Sequence, residues 1–588
     1  MPDPSVEALR TPANGQIFAL KKALSKAAVE AAFDSASEKA RGRKLGKTIR
    51  EKRTASGEDF WTSFICFPLI GCPAFLPGTD LKEHTYGFLL LLEVQVNAEW
   101  FLGVFKHRSA SLADWLDAKT KPLHRSKLTN AFSDGSTVRK MSLQRLAPSK
   151  HELRAASYEA ADLQFSLPMM AASRCAIRSI RFQDNAIGSI AVTVSTSRVQ
   201  RSGGRCPVGD LAHLVSMVAQ QTQADKRHAF LATFAQAVAI ADLPAGTRPT
   251  SLLFDWSAIM ETDALELHRK PAPGEDLDEA IPKKLLHRLL GDTLPVVADG
   301  DDWQFARIVH RPRGTFGLTS TKYSVKTILG NKLVVHDVNS DETIPLAKWA
   351  RENDAYSITF TQPEYFFGGG ALYQRADFAN EVEIVRRCLR AEVLLAAATS
   401  EKGKPKKADV RFPPDSIFGV AEDSIYAHRD WLCCTDLGDE WADYLCIQNN
   451  ALLFIHCKGG KHTTGASSFQ EVVGQGLKNL GRIQSTPLDF RKKLTATKRK
   501  KFWSTTKIER LRDPGRAWPD FEAAVAGLLA NPDATKEVHL VVTMLSRAGF
   551  ETAAATPIPH FIQLVWLLAS FINSCREMGA KPVVVCRA

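Results

Sequence analysis

Apolar and polar positions change period several times along the chain, and each change marks an element. Residues 18–53 carry a helical and increasingly basic pattern that ends in EKARGRKLGKTIREKR. From Phe60 the texture changes to β. FWTSFICFPLIG, TYGFLLLLEVQV and EWFLGVFKHR are rich in aromatic and branched residues and predict strands, the last two joined as a hairpin at Asn97-Ala98. Glu93 and Lys106 interrupt these runs, and edge or solvent-facing positions are expected for both. SIRFQDNAIGSIAVTVSTS (179–197) predicts a hairpin about Asp184-Asn185, and 207–243 shows the three-to-four spacing of helix. RPTSLLFDWSAIM is a strand candidate, and 303–375 returns to β texture with a two-residue turn at Gly330-Asn331. Gly368, Gly369 and Gly370 predict a glycine hairpin. A phosphate loop would need a following Lys-Ser/Thr, which is missing.

Residues 379–398 predict an amphipathic helix, and TSEKGKPKKADVRFPPD after it has the Lys, Pro and Gly content of a linker. The pattern then becomes strand, turn, strand, helix: EWADYLCI (440–447), QNN, ALLFIHCK (451–458) and SSFQEVVGQGLKNLG (467–481). EVHLVVTML (537–545) and KPVVVCRA (581–588) are further strands, flanking the long apolar helix that starts at Pro559. A chain of 588 residues exceeds one ordinary core, so several domains are expected. The divisions are a basic helical segment at 1–58, an α+β region at 59–375 for recognition, sensing or oligomerisation, a helix and linker at 376–415, and an α/β domain at 416–588. The last is expected to hold a mixed sheet flanked by helices.

Composition narrows the class. With 45% hydrophobic and 24% charged residues the chain reads as soluble and globular. Its apolar stretches at 87–96 and 560–575 fall short of the roughly 20 residues a span requires, which argues against a membrane partner. Eleven cysteines, an odd number with no paired CxxC at zinc-finger spacing, together with an N-terminus lacking a secretory layout, predict reduced thiols in a cytoplasmic protein. The formal charge of +12 favours a polyanionic partner only modestly, so the placement of the cations matters more than their sum.

The chemistry concentrates in ALLFIHCKGGKH (451–462), where a strand built for the interior ends in His456, Cys457 and Lys458. A period of two puts His456 and Lys458 on one face and turns Cys457 to the core, which argues against a catalytic thiol. A hairpin about Gln448–Asn450 brings Asp443 close to that pair. A carboxylate, an imidazole and an ammonium then gather at one end of two strands. A buried structural network of Asp, His and Lys is the competing explanation.

DLGDEWADYLCI, ALLFIHCKGGK and SSFQEVVGQGLKNL together resemble the active-site segment of the PD-(D/E)XK, restriction-endonuclease-like nuclease superfamily. There an Asp precedes an acidic-x-Lys triplet on the next strand, and the following helix often supplies a Gln. The resemblance covers about 60 residues. It implies Asp443 and Lys458 as catalytic groups with Gln470 or Gln475 as the helix residue. It also implies a metal-dependent nuclease, acting on DNA by preference and as an endonuclease, of the kind found in restriction or antiviral effectors. His456 departs from the pattern by standing at the acidic position, so either His456 itself meets the metal or a carboxylate such as Glu440 replaces it. Mg²⁺ or Mn²⁺ would be held by Asp443, the Cys457 carbonyl and Glu440. Nucleic-acid phosphates would be met by Lys461 and by the basic run of Arg491, Lys492, Lys493, Lys498, Arg499, Lys500 and Lys501, which precedes Phe502 and Trp503. A catalytically silent nucleic-acid-binding protein is the alternative, and a plain interaction protein with solvated basic runs is a third reading. A homo-oligomer is compatible with all three.

Overall fold

Strand texture at the N-terminal end becomes an eleven-stranded antiparallel sheet in the computed structural model. The structure describes residues 5–588 apart from 56, 72–79, 147–154, 168–171, 186, 225, 227, 261, 263, 273–274, 276, 285–293, 300–301, 309–310, 319–322, 328–331, 339–341, 376–377, 439 and 514. The chain divides into two units, one of residues 1–161 with 173–376 and one of 162–172 with 377–588.

In the first unit, Glu83–Val96 and Glu99–His107 pair as the expected hairpin, and both turn residues adopt left-handed backbone, Asn97 at φ 47° and Ala98 at φ 66°. The helix Val208–Gln223 covers this sheet and ends at Gln223, well short of 243. Gly103 permits the contact, since a Cβ there would lie 2.4 Å from Val215.

The basic N-terminal segment is not one helix. It forms the strand Thr11–Leu20, the helix Lys26–Ala36 and the strand Leu45–Ala55. Pairing with Glu58–Gly71 supplies the support that propensity alone missed, and carboxylates neutralise the cations one by one: Lys44 with Asp34, Lys47 with Glu30, Arg50 with Glu93, Lys52 with Asp59 and Arg53 with Glu7. Glu93 is therefore neither an edge nor a solvent-facing residue. It is 1% exposed and accepts from Arg50 Nε at 2.8 Å and Leu24 N at 2.9 Å. Burial pushes its carboxyl pKa up against those two donors.

A second, nine-stranded sheet contains the glycine hairpin, Tyr365–Gly368 with Ala371–Gln374 turning at Gly369 and Gly370. The hairpin expected about Gly330-Asn331 does not form between its two strands. Tyr323–Thr327 pairs with Arg311–Leu318, and Leu333–Asp337 pairs with Leu265–Arg269 and Glu342–Pro345 in another sheet. The turn residues themselves lie outside the described residues.

The second unit is built on a six-stranded mixed sheet. Its strands are β1 (Leu389–Glu392), β2 (Trp431–Cys434), β3 (Tyr444–Gln448), β4 (Ala451–Lys458), β5 (Thr535–Ser546) and β6 (Lys581–Arg587), in the order β1-β6-β5-β4-β3-β2. β2, β3 and β4 form an antiparallel meander, whereas β4, β5, β6 and β1 run parallel. α1 (Phe378–Cys388) precedes β1, so the helix expected over 379–398 stops where Leu389 begins to pair with Val584. α2 (Gln470–Asn479), α3 (Pro487–Arg499) and α4 (Trp518–Ala530) cross from β4 to β5, and α5 (Arg547–Ala555) with α6 (Pro559–Glu577) crosses to β6. The crossover helices cover one face of the central strands, and the 395–426 segment packs Ile417, Phe418 and Tyr426 on the other, which explains the unbroken apolar run of β4. The stretch 399–415 with linker composition is pinned to this unit by Thr399 N–H to Asp415 O, Ile417 N–H to Ser400 O and Phe418 N–H to Glu401 O. Among the described residues no helix is long and apolar enough to cross a membrane, and ten cysteines are free thiols.

Candidate metal centre

Asn449 and Asn450, both with positive φ, turn β3 back into β4, and the ladder ends at Tyr444 opposite Ile455. Beyond that point the Cys457 N–H has lost its strand partner. The Asp443 carboxylate takes its place, with Oδ2 accepting from Cys457 N at 2.7 Å. Asp443 is consequently 4% exposed. Its backbone is fixed from the other side by Thr435, whose N–H donates to Asp443 O and whose hydroxyl donates to Ala442 O.

The turn from β2 to β3 carries two more acids to this point. Ligand atoms of Asp436, Glu440 and Asp443 all lie within 4.8 Å of one another, the one such group of three among the described residues. Asp436 is oriented by Trp503 Nε1 at 2.8 Å and by Lys402 Nζ at 2.7 Å. Burial, and then the charge and hydrogen bond of Glu440, push the Asp443 pKa well above the carboxylate range. The Cys457 N–H and Lys402 oppose that rise only in part.

Two lysines face these acids. Lys402 stands over the Phe418 ring at 5.1 Å, and although its partial burial disfavours charge, Asp436, Asp443 and Glu401 together raise its pKa above the usual lysine value. Lys458 lies 2.6 Å from Glu471 Oε1 on α2 and 3.4 Å from Glu401 Oε2, and Glu401 lies 3.6 Å from Lys402. Burial again works against charge at Lys458, and Glu471 and Glu401 outweigh it, raising its pKa. Gly459 makes the meeting of loop and strand end close, since a Cβ there would sit 3.2 Å from Glu401 N. An unbroken ion chain thus runs from Glu471 through Lys458, Glu401 and Lys402 to Asp436 and its two companions.

Of the residues read from the sequence, Asp443 and Glu440 are in this cluster and Lys458 is joined to it through Glu401 and Lys402. One residue's N–H and C=O leave a strand at the same edge, so the Cys457 carbonyl also faces the β3 side. His456 is elsewhere. It is 1% exposed and lines a mostly apolar hollow with Trp441, Phe454, Asn479, Leu480, Ile483 and Val538 under α2. Burial first, and Lys478 second, push its pKa down to about 4, so the ring is neutral at ordinary pH. Strand alternation sends His456 to the α2 face, while Asp443 turns toward the strand end. Gln470 is exposed at the start of α2 and Gln475 is half-buried, and among the described residues neither hydrogen-bonds to the acids.

Arg491, Lys492, Lys498, Arg499, Lys500 and Lys501 are exposed on and just after α3, as is Lys461 after β4. Lys493 turns into the core at 9% exposure, and Lys501 is paired with Glu509. Trp503, at the end of the basic run, points inward to Asp436.

Sequence reasoning missed Asp436, Glu401, Lys402, Glu471 and Trp503. Asp436 was visible in the acid spacing of DLGDEWAD, whereas Lys402 was hidden by the linker composition around it. The donor set is all carboxylate oxygen, which fits a hard divalent cation such as Mg²⁺ or Mn²⁺ better than zinc. Five carboxyl groups share two ammonium groups here, and the raised Asp443 pKa marks the shortage of positive charge that a divalent ion would relieve. Compared with known protein-family models and with curated proteins, the chain matches none.

Proposed function

We propose that the 377–588 unit is a metal-dependent phosphodiesterase of the PD-(D/E)XK type that cleaves nucleic acid, with DNA the favoured substrate. The observation that supports this most is the ion chain linking Lys458 to the Asp436–Glu440–Asp443 group at one end of the β3–β4 hairpin. On this reading Asp436 and Glu440 supply the carboxylates that the position of His456 does not, and the Cys457 carbonyl adds an oxygen donor. A bound Mg²⁺ or Mn²⁺ would polarise the scissile phosphate and acidify a water. Lys458 orients that water and offsets charge that develops on the phosphorus oxygens, in a setting where a positioned ammonium is worth far more than in bulk solvent. The exposed cations of α3, with Lys500 and Lys461, hold the backbone phosphates through contacts that carry no sequence information.

Supercoiled plasmid incubated with the full chain and Mg²⁺ or Mn²⁺ tests this. Nicking is expected from wild type and a loss of at least about a hundredfold from Asp443→Asn and from Lys458→Ala, the scale of removing one positioned charge. A wild type that binds DNA with strong salt dependence yet never nicks it under either metal would refute the enzyme and leave the silent binding protein. That second reading draws on one observation, the pairing of Lys458 with Glu471 and Glu401, which is what a purely structural lysine would also do.

A further inference from the structure

We infer that Lys402 is a built-in counter-cation that occupies the acidic group in the metal-free protein and competes with the divalent ion for it. The inference rests on the metal-site reading above and concerns how that site is loaded.

Three carboxylates brought within 4.8 Å of one another repel strongly in a half-buried position, and a fold that keeps them there needs a cation at hand. Lys402 is that cation. Its Nζ is 2.7 Å from Asp436 Oδ2, and its charge is felt at Asp443 as well. The lysine does not reach this place by chance of a free surface chain. Backbone bonds from Ile417 and Phe418 to Ser400 and Glu401 fix the loop immediately before it. Its ammonium lies over the Phe418 ring, and Gly403 (φ 70°) turns the chain away directly after it, packed so close to Pro413 that a Cβ would stand 2.6 Å from Cγ. Trp503 holds the Asp436 oxygen that Lys402 contacts, so ligand and lysine are oriented together.

A divalent ion bound by Asp436, Glu440 and Asp443 puts two positive charges where Lys402 now contributes one. Asp436 cannot serve both at full strength, so loading the ion weakens the Lys402–Asp436 pair. The freed ammonium stays tethered beside the acidic group by the backbone bonds that fix Ser400 and Glu401. Metal binding is thereby made weaker than the three carboxylates alone would allow, and a second lysine besides Lys458 becomes free for the substrate only once the metal is in place.

Mn²⁺ and Mg²⁺ binding to the full chain, measured by calorimetry and by Mn²⁺ electron paramagnetic resonance without nucleic acid, tests the competition. Lys402→Met, which keeps the length and removes the charge, is expected to bind Mn²⁺ about tenfold tighter or more, while Lys402→Arg stays near wild type. Binding by Lys402→Met that is equal to or weaker than a wild-type binding abolished by Asp443→Asn would overturn the counter-cation and leave the metal site intact. No binding by wild type or any variant would instead remove the metal site, and the inference with it. A measurement on unaltered protein guards against a variant that fails to fold. Acetylation of Lys402, followed by mass spectrometry, should speed up severalfold on adding Mn²⁺, and an unchanged or slower rate would overturn the proposal.

Discussion

His456 stands where a nuclease of the proposed type would carry an acid, and its protonation reports directly which role it has. In the folded protein its pKa is pushed down to about 4 by burial against Trp441, Phe454 and Leu480. An unfolded histidine titrates near 6.5. The native ring therefore resists a proton that the unfolded chain accepts, so this residue's contribution to stability is present above pH 6.5 and is lost as pH falls toward 4. The gap of roughly 2.5 units amounts to about 3 kcal/mol, of which about 2 kcal/mol disappears between pH 7 and pH 5. His456→Leu removes the titration and retains an apolar filling for the hollow. Urea unfolding of both proteins at pH 7, 6 and 5, followed by tryptophan fluorescence, isolates the difference, because other titrating groups are common to both. The variant should gain about 2 kcal/mol relative to wild type over that range. A difference that stays flat with pH refutes the reasoning, as does an imidazole resonance that titrates near 6.5 or is broadened by Mn²⁺ as a ligand would be.

Two further outcomes follow from buried charge in the same unit. Arg512 Nε and Nη2 bind Glu422 at 2.7 and 2.8 Å, where Tyr444 also donates to the carboxylate. Arg512→Met should therefore destabilise by about 3–5 kcal/mol in denaturant unfolding, whereas adding Glu422→Gln recovers most of the loss, and a double variant as unstable as the two singles summed would sink the pairing argument. The raised Asp443 pKa makes the metal-free protein lose stability as pH rises from the ordinary carboxylate range through the elevated value. Asp443→Asn, which still offers an acceptor to the Cys457 N–H, should be more stable than wild type at pH 8 without metal, and a less stable variant there would contradict the assigned cost of burying that charge beside Glu440.

Where structure depended on neighbours in sequence, the sequence was readable. Asn97-Ala98 and Gly369-Gly370 are turns because their backbones must enter the left-handed region, and the flanking alternation then sets the strands. The β3–β4 hairpin and the helix after it were legible for the same reason, although β3 begins at Tyr444 and leaves Asp443, expected within a strand over 440–447, just ahead of it. Errors arose where a distant partner overrode local preference. Leu45–Ala55 is a strand because Glu58–Gly71 pairs with it, and Leu389–Glu392 leaves its helix because β6 accepts it as a parallel neighbour. Glu93 is buried because Arg50 and the Leu24 N–H answer its charge, and neither is marked in the pattern around it.

By itself the sequence determined the periods, the turns and a strand that ends in charge, since each of these is governed by side chains a few residues apart. Only the tertiary structure decided that His456 faces α2 while Asp443 turns to the strand end, and that Lys402, 34 positions from Asp436 in a stretch with linker composition, closes the acidic group. Charge pairing is a matter of distance through space. Its energy acts between groups whose separation along the chain carries no periodic trace.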